Sequence, residues 1–305
     1  MALQAQVFAP AKINLTLHVT RQRPDGYHLL DSLVVFADVG DQLTIGPSGA
    51  CAMHVDGPEG DAVPEGADNL VLRAARLFGD LSSAEFRLMK NLPVASGVGG
   101  GSADAAAAYR GLAALCAHQK GTPKADLRDD SKLEALLALG ADIPMCIDCS
   151  PARIRGIGEN ITPVSNVPPL HAVLVNPRRG VSTPSVFKAL HCRDHPAMPD
   201  VIPTFSDARD MASWLTGQRN DLELAAMSLE PAIAQVKAAL AACQGCLLAR
   251  MSGSGATCFG LFSDHSSAQA AAAQLDMSHP NWWIKPTQLG DQSAQARPQL
   301  IRSTT

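Results

Sequence analysis

Between positions 13 and 19 apolar and polar side chains alternate strictly. Ile13, Leu15, Leu17 and Val19 are apolar, and Asn14, Thr16 and His18 stand between them. A period of two puts the apolar set on one face and predicts a half-buried strand. Arg23-Pro24-Asp25-Gly26 predicts a turn, because Pro presets φ and Gly takes the positive φ. A strand is expected from Tyr27-His28 through Val34 and Phe36, with shorter ones at 42–45 and 51–55. Positions 69–78 space Leu70, Leu72, Ala75 and Leu77 as a helix would. Positions 85–92 read as a strand, and the Ala-rich run 102–116 as a helix with Ser102 at its N-cap.

Downstream, 121–130 is polar and reads as a loop, 131–139 as a helix and 143–147 as a strand, which leaves Asp142 at a helix-to-strand turn. A second region starts near Pro168. It holds strands at 171–175, 247–251, 257–262 and 282–285, and helices at 182–190, 206–215, 221–242 and 266–275. A proline-containing loop spans 191–204, and Ser252-Gly-Ser-Gly255-Ala makes a second Gly/Ser turn. The expectation is an α+β chain of two layered domains, 1–167 and 168–288, with a polar tail at 289–305.

Composition narrows the function classes. The chain has 305 residues, 46% of them hydrophobic, which suffices for one large or two medium domains. A formal charge of −4 lacks the basic surplus that nucleic acid or an anionic membrane attracts, so neither is expected as a partner. No cationic, then apolar leader opens the chain and no apolar run would span a bilayer, so a cytoplasmic location is expected. The pairs Cys146/Cys149 and Cys243/Cys246 are too far apart for tandem zinc ligands and read as core thiols. No metal-ligating set of side chains is expected.

Three features carry candidate chemistry. Gly97, Gly99, Gly100 and Gly101 fall between a strand and a helix. Such a turn lets main-chain N–H groups converge at the positive end of a helix dipole, which suits a polyphosphate; it can also be a tight structural turn. No Gly-Lys-Ser/Thr follows, which excludes a Walker A loop, and Ser102 stands where a dinucleotide fingerprint needs Gly. Lys12 precedes a strand, either as an edge charge or as a functional cation. Asp142 is either a turn former or a base. Together the three suggest phosphoryl transfer: a loop for nucleotide phosphates, a carboxylate to take a hydroxyl proton, and a cation beside it.

The loop PVASGVGGGSADAA at 93–106 resembles the phosphate loop of the GHMP kinase superfamily, and RMSGSGAT at 250–257 resembles its C-terminal Gly-rich motif. PAKINLTLHVTRQRPDGYHLLDSL at 10–33 and LGADIPM at 139–145 closely resemble the 4-diphosphocytidyl-2-C-methyl-D-erythritol kinase family. GIGENITPV at 156–164, STPSVF at 182–187 and NDLE at 220–223 add to the likeness. The resemblance implies a two-domain GHMP kinase fold, ribosomal protein S5 domain 2-like and then ferredoxin-like. It implies ATP as phosphoryl donor with Mg²⁺, and transfer to the 2-hydroxyl of cytidine diphosphate methylerythritol in non-mevalonate isoprenoid precursor synthesis, by a monomer or homodimer. Asp142 would be the base and Lys12 would polarise the hydroxyl. ATP would lie along Pro93, Val94, Ala95, Ser96, Gly97, Val98, Gly99, Gly100, Gly101, Ser102 and Ala103, near Asn69 and Lys90. Tyr27 and Phe187 would sandwich the cytosine, His28 would bond its edge, and Asn14 would hold the methylerythritol end. The alternatives are another kinase of the superfamily, of homoserine or mevalonate type, or a non-catalytic nucleotide-binding relative. The Asp25-Gly26-Tyr27-His28 segment argues against the first, and the presence of both Lys12 and Asp142 against the second.

Overall fold

The computed structural model describes residues 2–79, 84–122, 125 and 127–302. Positions 123, 124 and 126 of the expected loop and 303–305 of the expected tail lie outside these. The chain opens with β1 (Leu3–Asn14), β2 (His18–Gln22), the long β3 (His28–Pro47) and β4 (Ala52–Asp56). Then come α1 (Leu70–Ala75), β5 (Ala84–Met89), α2 (Gly100–Gln119), α3 (Asp130–Leu139) and α4 (Met145–Asp148). The hairpin β6 (Ala152–Gly156) and β7 (Asn160–Pro163) precedes β8 (Leu170–Asn176). Helices α5 (Thr183–Lys188), α6 (Ala208–Thr216), α7 (Glu223–Leu229) and α8 (Ala232–Ala242) lead to β9 (Cys246–Met251) and β10 (Cys258–Phe262). The chain finishes with α9 (His265–Ser278), β11 (Trp283–Gly290) and β12 (Gln299–Arg302).

Among the described residues the strands form one 12-stranded sheet with the path β12-β1-β3-β11-β8-β10-β9. Strand β3 is its spine. Its first residues pair with β2 and β6, its middle with β1 and β11, and its end with β5. The core lies on both faces. Helices α1 and α2 cover β1, β3 and β5, and the run Ala105 to Ala108 of α2 is fully buried there. Small side chains let α2 lie close to the sheet: a Cβ on Gly111 would sit 2.7 Å from the Ile45 side chain. Strand β10 separates the other two apolar clusters by its alternation. Cys258 and Phe262 join the cluster of α8 and α9, and Phe259 and Leu261 the cluster of α6.

The departures from the sequence reading have identifiable causes. The expected strand at 13–19 ends at Asn14, where Leu15 and Thr16 both donate their N–H groups to Leu33 O. It is also not half-buried: Asn14, Thr16 and His18 are buried too, because elements distant in sequence cover the polar face. Thr16 Oγ1 accepts from Leu33 N at 2.8 Å and donates to Met198 Sδ at 3.0 Å. The helix expected at 221–242 is split, since Pro231 lacks an N–H and starts α8 afresh. The strand expected at 143–147 is the short helix α4, which Pro144 opens from the helical region. Ser102 is not an N-cap: Gly99 is, at φ +66°, and α2 begins at Gly100.

The expected tail is built in. Leu289 and Gly290 finish β11, β12 pairs antiparallel with the first residues of β1, and Ala296 is buried among α2 and α4. The buried Arg110 guanidinium donates to Phe8 O at 2.8 Å, to Ala296 O at 3.1 Å and to Cys146 O. A chain ending at Gly290 would leave one of these donors unpartnered and remove Ala296 from the core. It should lose about 2 kcal/mol or more of stability, read as a lower midpoint in a denaturant melt. An unchanged midpoint would show that residues 291–302 contribute nothing.

Candidate active site

The loop before α2 is shaped by positive φ angles. Ala95, Gly97 and Gly99 lie at +51°, +77° and +66°. At Gly97 this freedom is needed twice over, for a Cβ there would lie 2.5 Å from Ser252 O and 2.7 Å from Gly255 O. The loop is therefore packed against the second Gly/Ser turn. Ser252 Oγ donates to Gly97 O at 3.1 Å, Thr257 N to Ser96 O at 3.0 Å, and Asn14 N to Ser252 Oγ at 3.1 Å. The two Gly-rich motifs of the sequence thus form one wall. The first turn of α2 has no acidic side chain, and its first intrahelical bond is Ala103 N to Gly99 O, so helix geometry gives the N–H groups ahead of Ala103 no intrahelical partner and makes this end able to take an anion.

Lys12 and Asp142 meet beside that wall. Lys12 Nζ donates to Asp142 Oδ2 at 2.9 Å and to Asn14 Oδ1 at 2.8 Å. Lys12 N donates to Val98 O at 2.9 Å, and a Cβ on Gly99 would sit 3.2 Å from Lys12 Cε. The lysine is buried, whereas the Asp142 side chain is 40% exposed and opens towards solvent. Asn14 Nδ2 donates in turn to Ser32 Oγ at 2.7 Å, which fixes its oxygen towards Lys12.

Lys12, Asn14, Asp142 and most of the loop line one cavity of about 1130 Å³, which also reaches Asn69, Lys90, Tyr27, His28 and Phe187. Within the loop only Val98 and Ala103 turn away from it, both into the core. Asn69 caps α1, accepting from Val71 N at 2.8 Å and donating to Pro64 O at 2.6 Å. Phe187 lies 4.8 Å from the His28 ring at an interplanar angle of 24°, and Tyr27 stands at the rim, 60% exposed. Burial, and then the charge of Arg193, push the His28 pKa down, so the ring is neutral at pH 7. Its Nε2 is buried with no partner, an open hydrogen-bonding atom next to a stacked ring.

The sequence reading missed the partners of Lys90. Its ammonium is buried between Asp41 Oδ2 at 2.5 Å and Asp104 Oδ2 at 2.7 Å. Asp41 Oδ1 also accepts from Asn91 N at 2.6 Å and Leu92 N at 2.9 Å, so Asp41 is the better-satisfied carboxylate. Asp104 is the surplus acid of the triad. Burial raises its pKa to about 8, against the pull of Lys90, and its Oδ1 has no partner. Asp41 lies 63 positions from Asp104, and no local pattern joins them; the pairing of β3 with β5 brings Asp41 to Lys90, and α2 brings Asp104 to the same ammonium.

The fold agrees with that of known proteins. Residues 69–148 match the model of the GHMP kinases N terminal domain and residues 201–279 that of GHMP kinases C terminal. A 4-diphosphocytidyl-2-C-methyl-D-erythritol kinase of Roseobacter denitrificans is 60% identical over 295 residues, 97% of each chain. The chain belongs to the 4-diphosphocytidyl-2-C-methyl-D-erythritol kinase family. A solved 4-(cytidine 5'-diphospho)-2C-methyl-D-erythritol kinase is 31% identical with a TM-score of 0.69, covering 93% of this chain and 99% of its own. A homoserine kinase from Cytophaga hutchinsonii shares the fold at 19% identity and a TM-score of 0.66, covering 98% and 97%. The family has the two-domain GHMP kinase fold and transfers phosphate.

The surplus acid makes stability depend on pH in a defined sense. Unfolded, Asp104 releases its proton near pH 3.8; folded, it holds the proton to about pH 8. Within that window the folded chain binds the extra proton, so stability should fall as pH rises. Asp104→Asn should flatten the melting temperature between pH 5 and pH 8, and an equal slope in both proteins would reject the assignment.

Proposed function

We propose that the cavity binds ATP along the loop and a cytidine diphosphate-linked methylerythritol along Asn14, Tyr27, His28 and Phe187, and moves the γ-phosphate to the 2-hydroxyl of the erythritol unit. The observation that carries this is the Lys12–Asp142 contact of 2.9 Å, opening onto the loop from a buried lysine. Asp142 accepts the hydroxyl proton. The freed oxygen bonds to the γ-phosphorus as the bond to the bridging oxygen breaks, and ADP leaves with that electron pair. Lys12 holds Asp142 in place by their hydrogen bond, and its remaining N–H can polarise the hydroxyl. Backbone amides at the start of α2 take the phosphate charge, and most of the rate comes from holding the reactants in place.

The base end supports a cytosine. Phe187 and Tyr27 offer flat faces, and the unpartnered His28 Nε2 offers a bond to the ring edge. Neither homoserine nor mevalonate has a ring for them to meet. Asn69 and Lys90 shape the nucleotide end from beneath, with their polar atoms already engaged by α1 and the triad. No three potential metal ligands cluster among the described residues, which fits Mg²⁺ held mostly by ATP phosphates and water. Bound there, it would neutralise phosphate charge. No described helix is long and apolar enough to cross a membrane, and the substrate is a small polar molecule, which agrees with action in the cytoplasm.

Asp142→Asn should lower kcat by about a hundredfold or more with ATP binding retained, because only the proton acceptor is removed. Turnover close to wild type would reject Asp142 as base. Tyr27→Ala should weaken cytidyl-substrate binding by about 1–3 kcal/mol, the range of base–aromatic stacking, measured by direct titration. ADP release with the cytidyl substrate but not with homoserine or mevalonate tests the substrate class. Nucleotide binding with no turnover of any of the three would favour a non-catalytic relative.

A further inference from the structure

Two acids share one base behind the glycine-rich loop. Asp41 lies on β3, Lys90 follows β5 and Asp104 stands on the second turn of α2, and all three side chains are buried. With every group ionised the cluster would hold one net negative charge out of water, which is costly. The two acids are not equivalent. Asp41 accepts from Lys90 Nζ, Asn91 N and Leu92 N, whereas Asp104 accepts from Lys90 Nζ through Oδ2, and its Oδ1 is buried with no partner. A proton on Asp104 removes the surplus charge and gives its carboxyl an O–H to share with Asp41.

The cluster adjoins the end of α2 that can take an anion. Lys90 and Asp104 both line the cavity, and a Cβ on Gly100, the first residue of α2, would lie 3.0 Å from Lys90 Nζ. Asp104 is four residues further along the helix, about 6 Å by the helical rise. The charged groups that bear on Asp104 are Lys90, from the segment after β5, and Asp41, from β3. Lys12 of β1 is turned to Asp142, and α1 presents the uncharged Leu70 to Gly101.

We propose that Asp104 is a positioning residue for the nucleotide in its neutral form: it keeps Lys90 seated under the first turn of α2, and a polyphosphate bound at that turn tightens the hold of Asp104 on its proton. This rests on the nucleotide reading of the loop above. An ionised Asp104 would repel a polyphosphate across a buried, poorly screened path, so the anion binds the protonated cluster better. Reciprocally, its binding raises the proton affinity by the same factor. Burial already holds that proton to about pH 8. Below pH 7 the free cluster is therefore protonated; above pH 8 binding must draw a proton from solvent, and affinity falls as pH rises. The last proton of a phosphate leaves near pH 6, about two units below this window.

The experiment is calorimetric titration of ADP, with adenosine in parallel, into the wild-type chain and into Asp104→Asn, in buffers of different ionisation enthalpy. The difference in heat between buffers counts the protons taken up. Wild type should take up about 0.3 proton or more per ADP at pH 8.5 and almost none at pH 7, and bind ADP about threefold or more weakly at pH 9 than at pH 7. Adenosine should draw no proton. The Asn side chain has the shape of a neutral carboxyl and no proton to lose, so the variant should show no uptake and bind ADP more tightly than wild type at pH 9. Lost packing alone would instead weaken ADP at every pH. The wild-type proton count requires no folded variant. ADP binding without uptake at pH 8.5 overturns the assignment, and so does equal uptake by the variant; the nucleotide reading survives both. Equal uptake with adenosine also overturns it, since phosphate would not be the linked group. No ADP binding at any pH overturns both readings.

Discussion

The site depends on one buried ammonium and where its hydrogens go. Lys12 is out of water, and a buried charge is tolerated only where partners replace the lost hydration. Asn14 and Asp142 take two of its three N–H bonds, and the third is left for whatever enters the cavity. Its main-chain N–H holds Val98 O, so the residue that orders the acid also orders the glycine-rich loop. Acid, cation and loop are therefore set in one geometry by a single residue on β1.

That geometry is completed from the other half of the chain. The loop at Gly97 is wedged against Ser252 and Gly255, and the fit works only because no Cβ lies between them. Ser252 Oγ donates to Gly97 O and accepts from Asn14 N, linking the second Gly/Ser turn to the strand of Lys12. From below, Arg110 binds carbonyls of β1, of α4 just after Asp142, and of the segment at Ala296. The elements carrying Lys12 and Asp142 are thus braced against α2, whose first turn ends the loop. Catalysis by positioning requires such bracing, since a small misplacement of reacting groups costs rate steeply.

Charge is distributed with the same economy. Beneath the loop two carboxyls share the Lys90 ammonium, and Asp104 is left holding its proton at neutral pH. This keeps a second free negative charge away from the place where a polyphosphate would sit. At the opposite end burial, and then the charge of Arg193, hold the His28 pKa down.

Much of this was legible in the chain. The extended run into Asn14, the four glycines ahead of a helix and the family motifs around Lys12 and Asp142 were legible, because each depends on neighbours in sequence. Even Pro231, which breaks the expected helix at 221–242, was visible as a local rule. What only the tertiary structure decided came from pairings between distant segments. The polar face of 13–19 is buried by the second half of the chain, and the apparent tail is tied into the sheet by β1 and Arg110. Lys90 was read as a residue near the nucleotide, yet Asp41 and Asp104 claim its ammonium. Local pattern records which face of an element is apolar. It carries no record of which remote element will cover the other face or compensate a buried charge, and those two choices built this site.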